Sequence, residues 1–144
     1  MNNILVICIG NICRSPMAEA LLQRALPDCS VKSAGLGALV GKGADPHSVS
    51  LMAEQEVDIS GHVAQQISQA LVSEADVILV MDTEQKRYIE NQYASARGKV
   101  FRLGEAAKTD IPDPYREGID SFRHAQRLIE EGVQVWASQI AQMR

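Results

Sequence analysis

The sequence predicts an α/β domain in three layers, with a central parallel sheet of about four strands and helices on both faces. Two observations lead to this prediction. Short apolar runs bounded by turn residues alternate along the chain with segments of helical periodicity. The first of these runs, over residues 4–9, is apolar throughout and rich in β-branched residues, as expected of a strand buried on both faces of a parallel sheet.

The first strand leads directly into the first helix. Gly10 and Asn11 form a turn signal after the strand, and Ser15 followed by Pro16 is expected to be the N-cap and first residue of a helix that continues over residues 17–26. A phosphate-binding loop is therefore expected between strand 1 and helix 1, because the strand end and the helix N-terminus meet there.

The middle of the chain repeats the alternation of strands and helices. The next segments are predicted as a strand, a glycine-rich loop and two helices, over residues 30–34, 35–45, 48–56 and 65–73 in that order. Two more buried strands follow over residues 76–81 and 100–103, and Thr83 could cap the polar helix between them. A polar loop over residues 104–118 precedes the last element.

The C-terminal segment is predicted to be one long amphipathic helix. Its apolar residues recur at helical spacing and indicate a buried stripe in the core. These residues are Ile119, Phe122, Ile129, Val133, Trp136, Ile140 and Met143.

Composition limits the class of protein. The 144 residues, of which 46% are apolar, have the usual size of a single domain, here residues 1–144. A formal net charge of −4 argues against a nucleic-acid partner. The N-terminal apolar run is too short for a signal peptide or a membrane span, and three cysteines fit a reducing compartment. We expect a cytoplasmic protein that neither enters a membrane nor binds nucleic acid.

The segment from Cys8 to Pro16 has the residue types that phosphate chemistry requires. Backbone N–H groups and a helix dipole attract a phosphate dianion, and Arg14 offers a planar fork to its oxygens. The same groups favour the thiolate form of Cys8, and Ser15 is placed to donate a hydrogen bond to it. The Cys-x5-Arg spacing alone is weak evidence, but here it is combined with a buried strand, a Gly-Asn turn and a helix start.

A proton donor for a leaving group is a second requirement. Asp113 lies between Pro112 and Pro114 in a loop, and Tyr115 follows at a distance that allows contact with a substrate ring. Because Asp-Pro is common in turns, the pattern by itself favours an ordinary turn.

The combined motifs resemble the low-molecular-weight protein tyrosine phosphatase family, and the resemblance covers essentially the whole chain. Its bacterial members that act on the tyrosine autokinases of capsule and exopolysaccharide production are especially similar over residues 37–46. The matching segments are Cys8-Ile-Gly-Asn-Ile-Cys-Arg-Ser15, Ser33-Ala-Gly35, Gly61-His62, Met81-Asp82 and Asp113-Pro-Tyr115.

The resemblance implies a phosphotyrosine phosphatase, a phosphomonoester hydrolase, with Cys8 as nucleophile, Arg14 as phosphate-binding residue and Asp113 as general acid. Ser15 would support the thiolate, and Asn11, supported by His62, would shape the loop. The implied substrate is a phosphotyrosine protein, the tyrosine-rich tail of a bacterial tyrosine kinase, and the product is inorganic phosphate. No metal or other cofactor is implied, and no zinc or di-metal spacing is present.

The residues expected to contact substrate fall into two groups. The phosphate-binding group is Ile9, Gly10, Asn11, Ile12, Cys13 and Arg14, and the pocket wall is Leu36, Leu39 and Tyr115. Eukaryotic members of the family carry an aromatic residue in the loop after the second strand, where this chain has only Leu36, Leu39 and Val40. They also have a second tyrosine at the position of Arg116, so substrate preference is expected to differ.

Three other functions are alternatives to a phosphotyrosine phosphatase. An arsenate reductase on the same fold needs further cysteines for a disulfide relay, and none follows Cys29. The phosphoarginine phosphatases place Thr where this chain has Ile12. The bulkier, apolar side chain of Ile12 is expected to favour an aromatic leaving group. A non-enzymatic phosphate-binding module would not need Cys8, Arg14 and Asp113 together.

Cys13 is close enough in sequence to form a reversible disulfide with Cys8, or it is a small residue that packs the loop.

Overall fold

The computed structural model describes residues 1–143 and contains four strands and five α-helices in that range. The elements follow one another as β1 (Asn3–Cys8), α1 (Arg14–Ala25), β2 (Ser30–Gly35), α2 (Pro46–Ala53), α3 (Gln69–Glu74), β3 (Val77–Val80), α4 (Thr83–Gln92), β4 (Val100–Arg102) and α5 (Ile119–Gln142). Short 3-10 helices lie at Ala94–Ala96 and Glu105–Ala107.

The four strands form one sheet in the order β2-β1-β3-β4, and every pairing is parallel. β1 lies in the interior of the sheet, between β2 and β3, which explains why its sequence is apolar on both faces. The predicted α/β fold with a parallel sheet of about four strands is confirmed.

Alternate residues of β1 contribute to two separate cores. Ile4, Val6 and Cys8 pack with α1 and α5 on one face of the sheet. Leu5 and Ile7 pack on the opposite face with residues of α3, α4 and the neighbouring strands. Side chains of a strand alternate between the faces of its sheet, so this division gives the three layers of the fold.

The C-terminal helix covers one face of the sheet. Five members of the predicted stripe are buried: Phe122, Ile129, Val133, Trp136 and Ile140. The prediction is wrong for Met143, which lies just beyond the end of α5 and is 54% exposed. No helix within residues 1–143 has the length and apolar character needed to cross a membrane.

Several helices begin at other residues than the sequence predicts. α1 begins at Arg14 with Cys13 as its N-cap, so Ser15 lies inside the first turn and is not the cap. The helix predicted over residues 65–73 begins only at Gln69, because Gln66 forms a β-bridge with Gly35. Capping side chains explain the remaining differences.

Two aspartates cap helices at residues other than those that the sequence predicts. Asp45 accepts a hydrogen bond from the backbone N–H of His47 (2.9 Å) and caps α2, which begins at Pro46 and ends three residues before the predicted end. Asp82, not Thr83, caps α4 by accepting a hydrogen bond from the N–H of Gln85 (2.8 Å).

The carboxyl ends of β1 and β2 meet at one edge of the sheet, where Cys8 pairs with Gly35. A Cβ atom built on Gly35 would lie 2.4 Å from the carbonyl oxygen of Ile9. Only glycine therefore allows β2 to approach the chain that leaves β1.

Gly35→Ala is expected to lower the free energy of unfolding by about 1–3 kcal/mol, because the added methyl group overlaps with a backbone atom that cannot move freely. Chemical denaturation of the purified variants measures the change. Gly61→Ala is the matched control, since a Cβ at Gly61 has no neighbour within 4 Å. Equal stability of the two variants would contradict the close approach.

Candidate active site

The loop between β1 and α1 is held by its carbonyl groups. The backbone N–H groups of Leu36, Gly37 and Leu39 donate to the carbonyls of residues 8, 9 and 10, each at 3.0 Å. The carbonyls of the next three residues accept hydrogen bonds from groups on other parts of the chain. Their donors are His62 Nε2 (2.7 Å), the N–H of Asp45 (2.8 Å) and Ser48 Oγ (3.1 Å).

These six carbonyl bonds determine where the N–H groups point. The described chain has no cis peptide bond, and a trans peptide holds its N–H opposite its C=O. Because six successive carbonyls point outward to the rest of the protein, the N–H groups of residues 9–14 face the interior of the loop. The N-terminus of α1, with its positive dipole end, begins at the last of them. The loop is therefore a cradle for an anion.

Asn11 gives the loop its shape. Its φ angle is 61°, in the left-handed region that asparagine tolerates better than most residues, and its side chain is fully buried. The side-chain nitrogen donates to Ser15 Oγ (2.8 Å) and Ser33 Oγ (2.9 Å), and the side-chain oxygen accepts from the N–H of Gln65 (2.9 Å). His62 must carry its proton on Nε2, because the Asn11 carbonyl can only accept.

Cys8 lies at the base of the cradle, with its Sγ 2.9 Å from Ser15 Oγ. Ser15 accepts a hydrogen bond from Asn11, which leaves its hydroxyl hydrogen free to donate to the sulfur. Ser33 likewise accepts from Asn11 and donates a hydrogen bond to the carboxylate of Glu19. A chain of hydrogen bonds thus runs from a partly buried carboxylate to the sulfur of Cys8.

Arg14 is 2% exposed and joins the phosphate loop to the loop before α5. Its Nη1 donates to the carbonyl of Ile111 (2.7 Å), and its Nη2 lies 3.7 Å from Oδ2 of Asp113. Nε of Arg14 is buried and has no hydrogen-bond partner within the described residues. A buried guanidinium nitrogen without a partner is suited to a phosphate oxygen, because binding would satisfy it.

Asp113 lines the same pocket as Cys8. Its side chain is 45% exposed, and its Oδ1 accepts a hydrogen bond from the N–H of Tyr115 (3.1 Å). This bond orients the carboxyl group, while the 3.7 Å separation from Arg14 leaves it free to turn towards a bound ligand. From the sequence pattern alone, Asp113 would belong to an ordinary Asp-Pro turn. In the structure, this turn brings its carboxyl group to the pocket.

One pocket contains most of the predicted substrate contacts. It is lined by Cys8, Ile9, Gly10, Ile12, Cys13, Arg14, Gly37, Leu39, Asp113 and Tyr115. Leu36 does not line it, contrary to the predicted wall: the residue follows the end of β2 and packs against the core cluster on the α3–α4 face of the sheet. Gly37 lies in the wall instead.

Cys13 lies beside the nucleophile but in a different environment. Burial, with further contributions from the charges of Asp45, Cys8 and Asp113, raises the pKa of the Cys13 thiol far above its usual value. Cys13 is therefore a protonated thiol at neutral pH, and its side chain gives the N-terminus of α1 no capping hydrogen bond.

Sequence reasoning missed several residues that hold the site. Glu19, Gln65 and Ser48 have no motif around them, and their contacts to the loop depend on the folded chain. Ser33 and Gly35 were part of the family resemblance, but without a role. For Gly35 a sequence signal was available: a glycine at the end of a buried strand suggests close contact with another backbone segment.

The assembled groups are those of covalent phosphoryl transfer: a thiol in an anion cradle, a buried guanidinium and an oriented carboxyl group. The chain belongs to the low-molecular-weight phosphotyrosine protein phosphatase family, whose model matches residues 3–144. The predicted protein tyrosine phosphatase is thereby confirmed, as is its similarity to the exopolysaccharide-associated type.

Two relatives illustrate the similarity. The probable low-molecular-weight protein-tyrosine-phosphatase EpsP of Ralstonia nicotianae is 53% identical over 140 residues, which are 97% of each chain. The structure of Wzb from Vibrio vulnificus in complex with benzylphosphonate superposes with a TM-score of 0.92 at 43% identity and covers 96% of this chain and 98% of its own.

A solved structure with another activity is also similar. The YwlE arginine phosphatase from Geobacillus stearothermophilus has a TM-score of 0.93 at 31% identity, over 99% of this chain and 95% of its own. The fold by itself therefore does not distinguish phosphotyrosine from phosphoarginine, and the pocket residues must be considered.

Replacement of Asn11 tests how the loop is held. Asn11→Gly keeps the left-handed backbone accessible but removes three buried hydrogen bonds, and we expect a loss of about 3 kcal/mol in the free energy of unfolding. Asn11→Ala should cost a further ~1 kcal/mol, because alanine disfavours a φ of 61°.

Urea denaturation measures both stabilities, and the affinity for inorganic phosphate should fall in the same order. If the Asn11→Ala variant were as stable as the Asn11→Gly variant, the left-handed backbone would not be a constraint on the loop.

Proposed function

We propose that this chain, as one phosphatase domain spanning residues 1–144, hydrolyses phosphotyrosine in proteins through a phosphoryl-cysteine at Cys8. The observation that supports this most strongly is that Cys8, Arg14 and Asp113 line one pocket at the loop whose carbonyls are all bonded to other parts of the chain. That arrangement provides a nucleophile, a site for the phosphate charge and a proton donor.

In the first step, the Cys8 thiolate attacks phosphorus while the phosphate oxygens rest on the loop N–H groups and Arg14. The bond between phosphorus and the tyrosine oxygen breaks, and protonated Asp113 transfers its proton to that oxygen. Without the proton a phenolate must leave, so the carboxylic acid contributes roughly 10²–10⁴-fold to the rate. The products of this step are the dephosphorylated tyrosine side chain of the substrate protein and the phosphoryl-cysteine.

In the second step, the carboxylate of Asp113 takes a proton from water, and the water oxygen attacks phosphorus. The sulfur–phosphorus bond breaks, inorganic phosphate forms and Cys8 returns to the thiolate. The hydroxyl of Ser15, 2.9 Å from the sulfur, stabilises the departing thiolate by donating a hydrogen bond. Asp113 is then protonated for the next cycle.

The pocket wall favours an aromatic leaving group. Ile9, Leu39 and Tyr115 form apolar walls above the phosphate cradle, and Ile12 adds a further apolar side chain. A phenyl ring gains from contact with these side chains, whereas the charged guanidinium of phosphoarginine would lose hydration. The similarity of one fold neighbour that is an arginine phosphatase makes phosphoarginine the rival substrate. Arsenate reduction remains disfavoured, because no cysteine follows Cys29.

The biological substrate we propose is a bacterial tyrosine kinase of capsule or exopolysaccharide production, bound through its tyrosine-rich tail in the cytoplasm. Supporting this are the relatives named EpsP and Wzb and the run over residues 37–46. A disordered tail suits the pocket, because an extended segment can present a phosphotyrosine without rearrangement of the enzyme.

A reversible disulfide between Cys8 and Cys13 stays a prediction. Both cysteines are free in the structure. The raised pKa of Cys13 makes it a slow attacking thiol at neutral pH, so oxidation at Cys8 would have to come first.

Hydrolysis of a series of aryl phosphates, with chelator present, tests the proposed mechanism. Cys8→Ser should lose activity, because serine is a poor nucleophile in this step. Asp113→Asn should be slowed by roughly 10²–10⁴-fold with poor leaving groups and much less with good ones, because only poor leaving groups need the proton.

Several outcomes would contradict the mechanism. One is activity of Cys8→Ser at the wild-type rate. Another is an Asp113→Asn variant whose deficit does not depend on the leaving group. A higher kcat/KM for phosphoarginine than for phosphotyrosine would assign the enzyme to the rival substrate.

A further inference from the structure

The exposed apolar residues of this chain are concentrated at the active site. Among residues 1–143, eight large apolar side chains are exposed, and two of these lie at the ends of that range. A third, Tyr88, lies on α4. The other five are Ile9, Leu39, Val40, Val63 and Tyr115. Exposed apolar residues are ordinary when scattered, but a concentration around one pocket indicates a binding surface.

Three of the five line the pocket itself, whereas Val40 and Val63 do not. These two valines are 67% and 64% exposed. Side chains so exposed contribute little to the core, and the catalytic steps make no use of them. Both side chains are therefore available for contact with another molecule.

Val40 and Val63 lie on neighbouring loops. The N–H of Gly41 donates to the carbonyl of Ala64 (3.1 Å), and the N–H of Ala64 donates to the carbonyl of Lys42 (2.8 Å). The first of these loops also contains Leu39, which lines the pocket and whose N–H is bonded to the carbonyl of Gly10. We call Leu39, Val40 and Val63 the valine strip; it begins in the pocket wall at Leu39 and extends along these two hydrogen-bonded loops.

Charged residues also border the pocket. Asp113 lines it and, with Glu117 and Asp120, lines a neighbouring cleft. Arg116 is exposed and lies over the ring of Tyr115, 5.2 Å from its centroid. The valines and Leu39 therefore belong to a part of the surface that differs in character from the charged loop around Asp113.

We propose that the valine strip binds an apolar side chain of the phosphoprotein substrate, a few residues from the phosphotyrosine. The proposal rests on the proposed function, because the phosphotyrosine anchors the peptide in the pocket. An extended peptide advances about 3.3 Å per residue, so a neighbouring side chain reaches the strip while the phosphate stays on the loop. An aliphatic or aromatic side chain is preferred because it removes both valines from water.

The experiment compares Val40→Ser and Val63→Ser, singly and together, with wild type. The control is Tyr88→Ser, which removes another exposed apolar side chain, on α4 and outside the valine strip. The substrates are a small aryl phosphate and a set of phosphotyrosine peptides with serine flanks. Each peptide carries one leucine at one of the five positions on either side of the phosphotyrosine, and one peptide carries none.

The measured quantity is kcat/KM for each peptide divided by kcat/KM for the aryl phosphate. In wild type we expect this ratio to rise roughly threefold to tenfold for leucine at one or two positions, as for partial burial of an aliphatic side chain. The valine variants should lose that rise and keep the ratio of the leucine-free peptide. The Tyr88→Ser control should keep the wild-type pattern.

Two results would overturn the proposal: no leucine position that distinguishes wild type from the valine variants, or a preference that Tyr88→Ser also removes. A wild type that hydrolyses the aryl phosphate but none of the peptides would instead contradict the proposed phosphoprotein substrate. Failure of the proposed function and failure of the valine strip are thus distinguishable.

Discussion

The active site depends on one residue in an unusual conformation, Asn11 with its left-handed backbone. The turn that it makes directs the peptide groups on both sides of it, and its buried side chain joins Ser15, Ser33 and the chain at Gln65. All of the polar atoms of this side chain are satisfied, so its burial carries no desolvation penalty that is left uncompensated. The conformational cost of the turn is offset by these bonds, and the position of Cys8 under the N–H groups follows from it.

Sequence reasoning could predict the parts of the fold and site that are local. A β-branched run, a Gly-Asn turn and a helix start placed Cys8 and Arg14 at one loop, and the parallel sheet followed from the alternation of elements. What it could not predict depends on distant chain segments. Leu36 packs against a core cluster while Gly37 lines the pocket, and the carbonyls of the loop are held by residues as distant as Ser48 and His62.

The loop with the general acid is tied to the phosphate loop by Arg14. Its Nη1 binds the carbonyl of Ile111, its Nη2 faces Asp113, and its Nε remains for a phosphate oxygen. One guanidinium therefore ties the loop that carries the carboxyl group to the phosphate-binding loop. Because this geometry does not involve the outer rim, residues such as Val40 and Val63 can select the substrate without altering the chemistry.

The central claim is that phosphate passes through Cys8, and the stereochemistry of transfer tests it most directly. An aryl phosphate made chiral with oxygen isotopes is allowed to transfer its phosphoryl group to an alcohol acceptor, and the configuration at phosphorus is determined in the product. Two successive in-line displacements, first by sulfur and then by the acceptor, predict retention of configuration. Inversion would show a single direct displacement and would contradict a phosphoryl-cysteine intermediate.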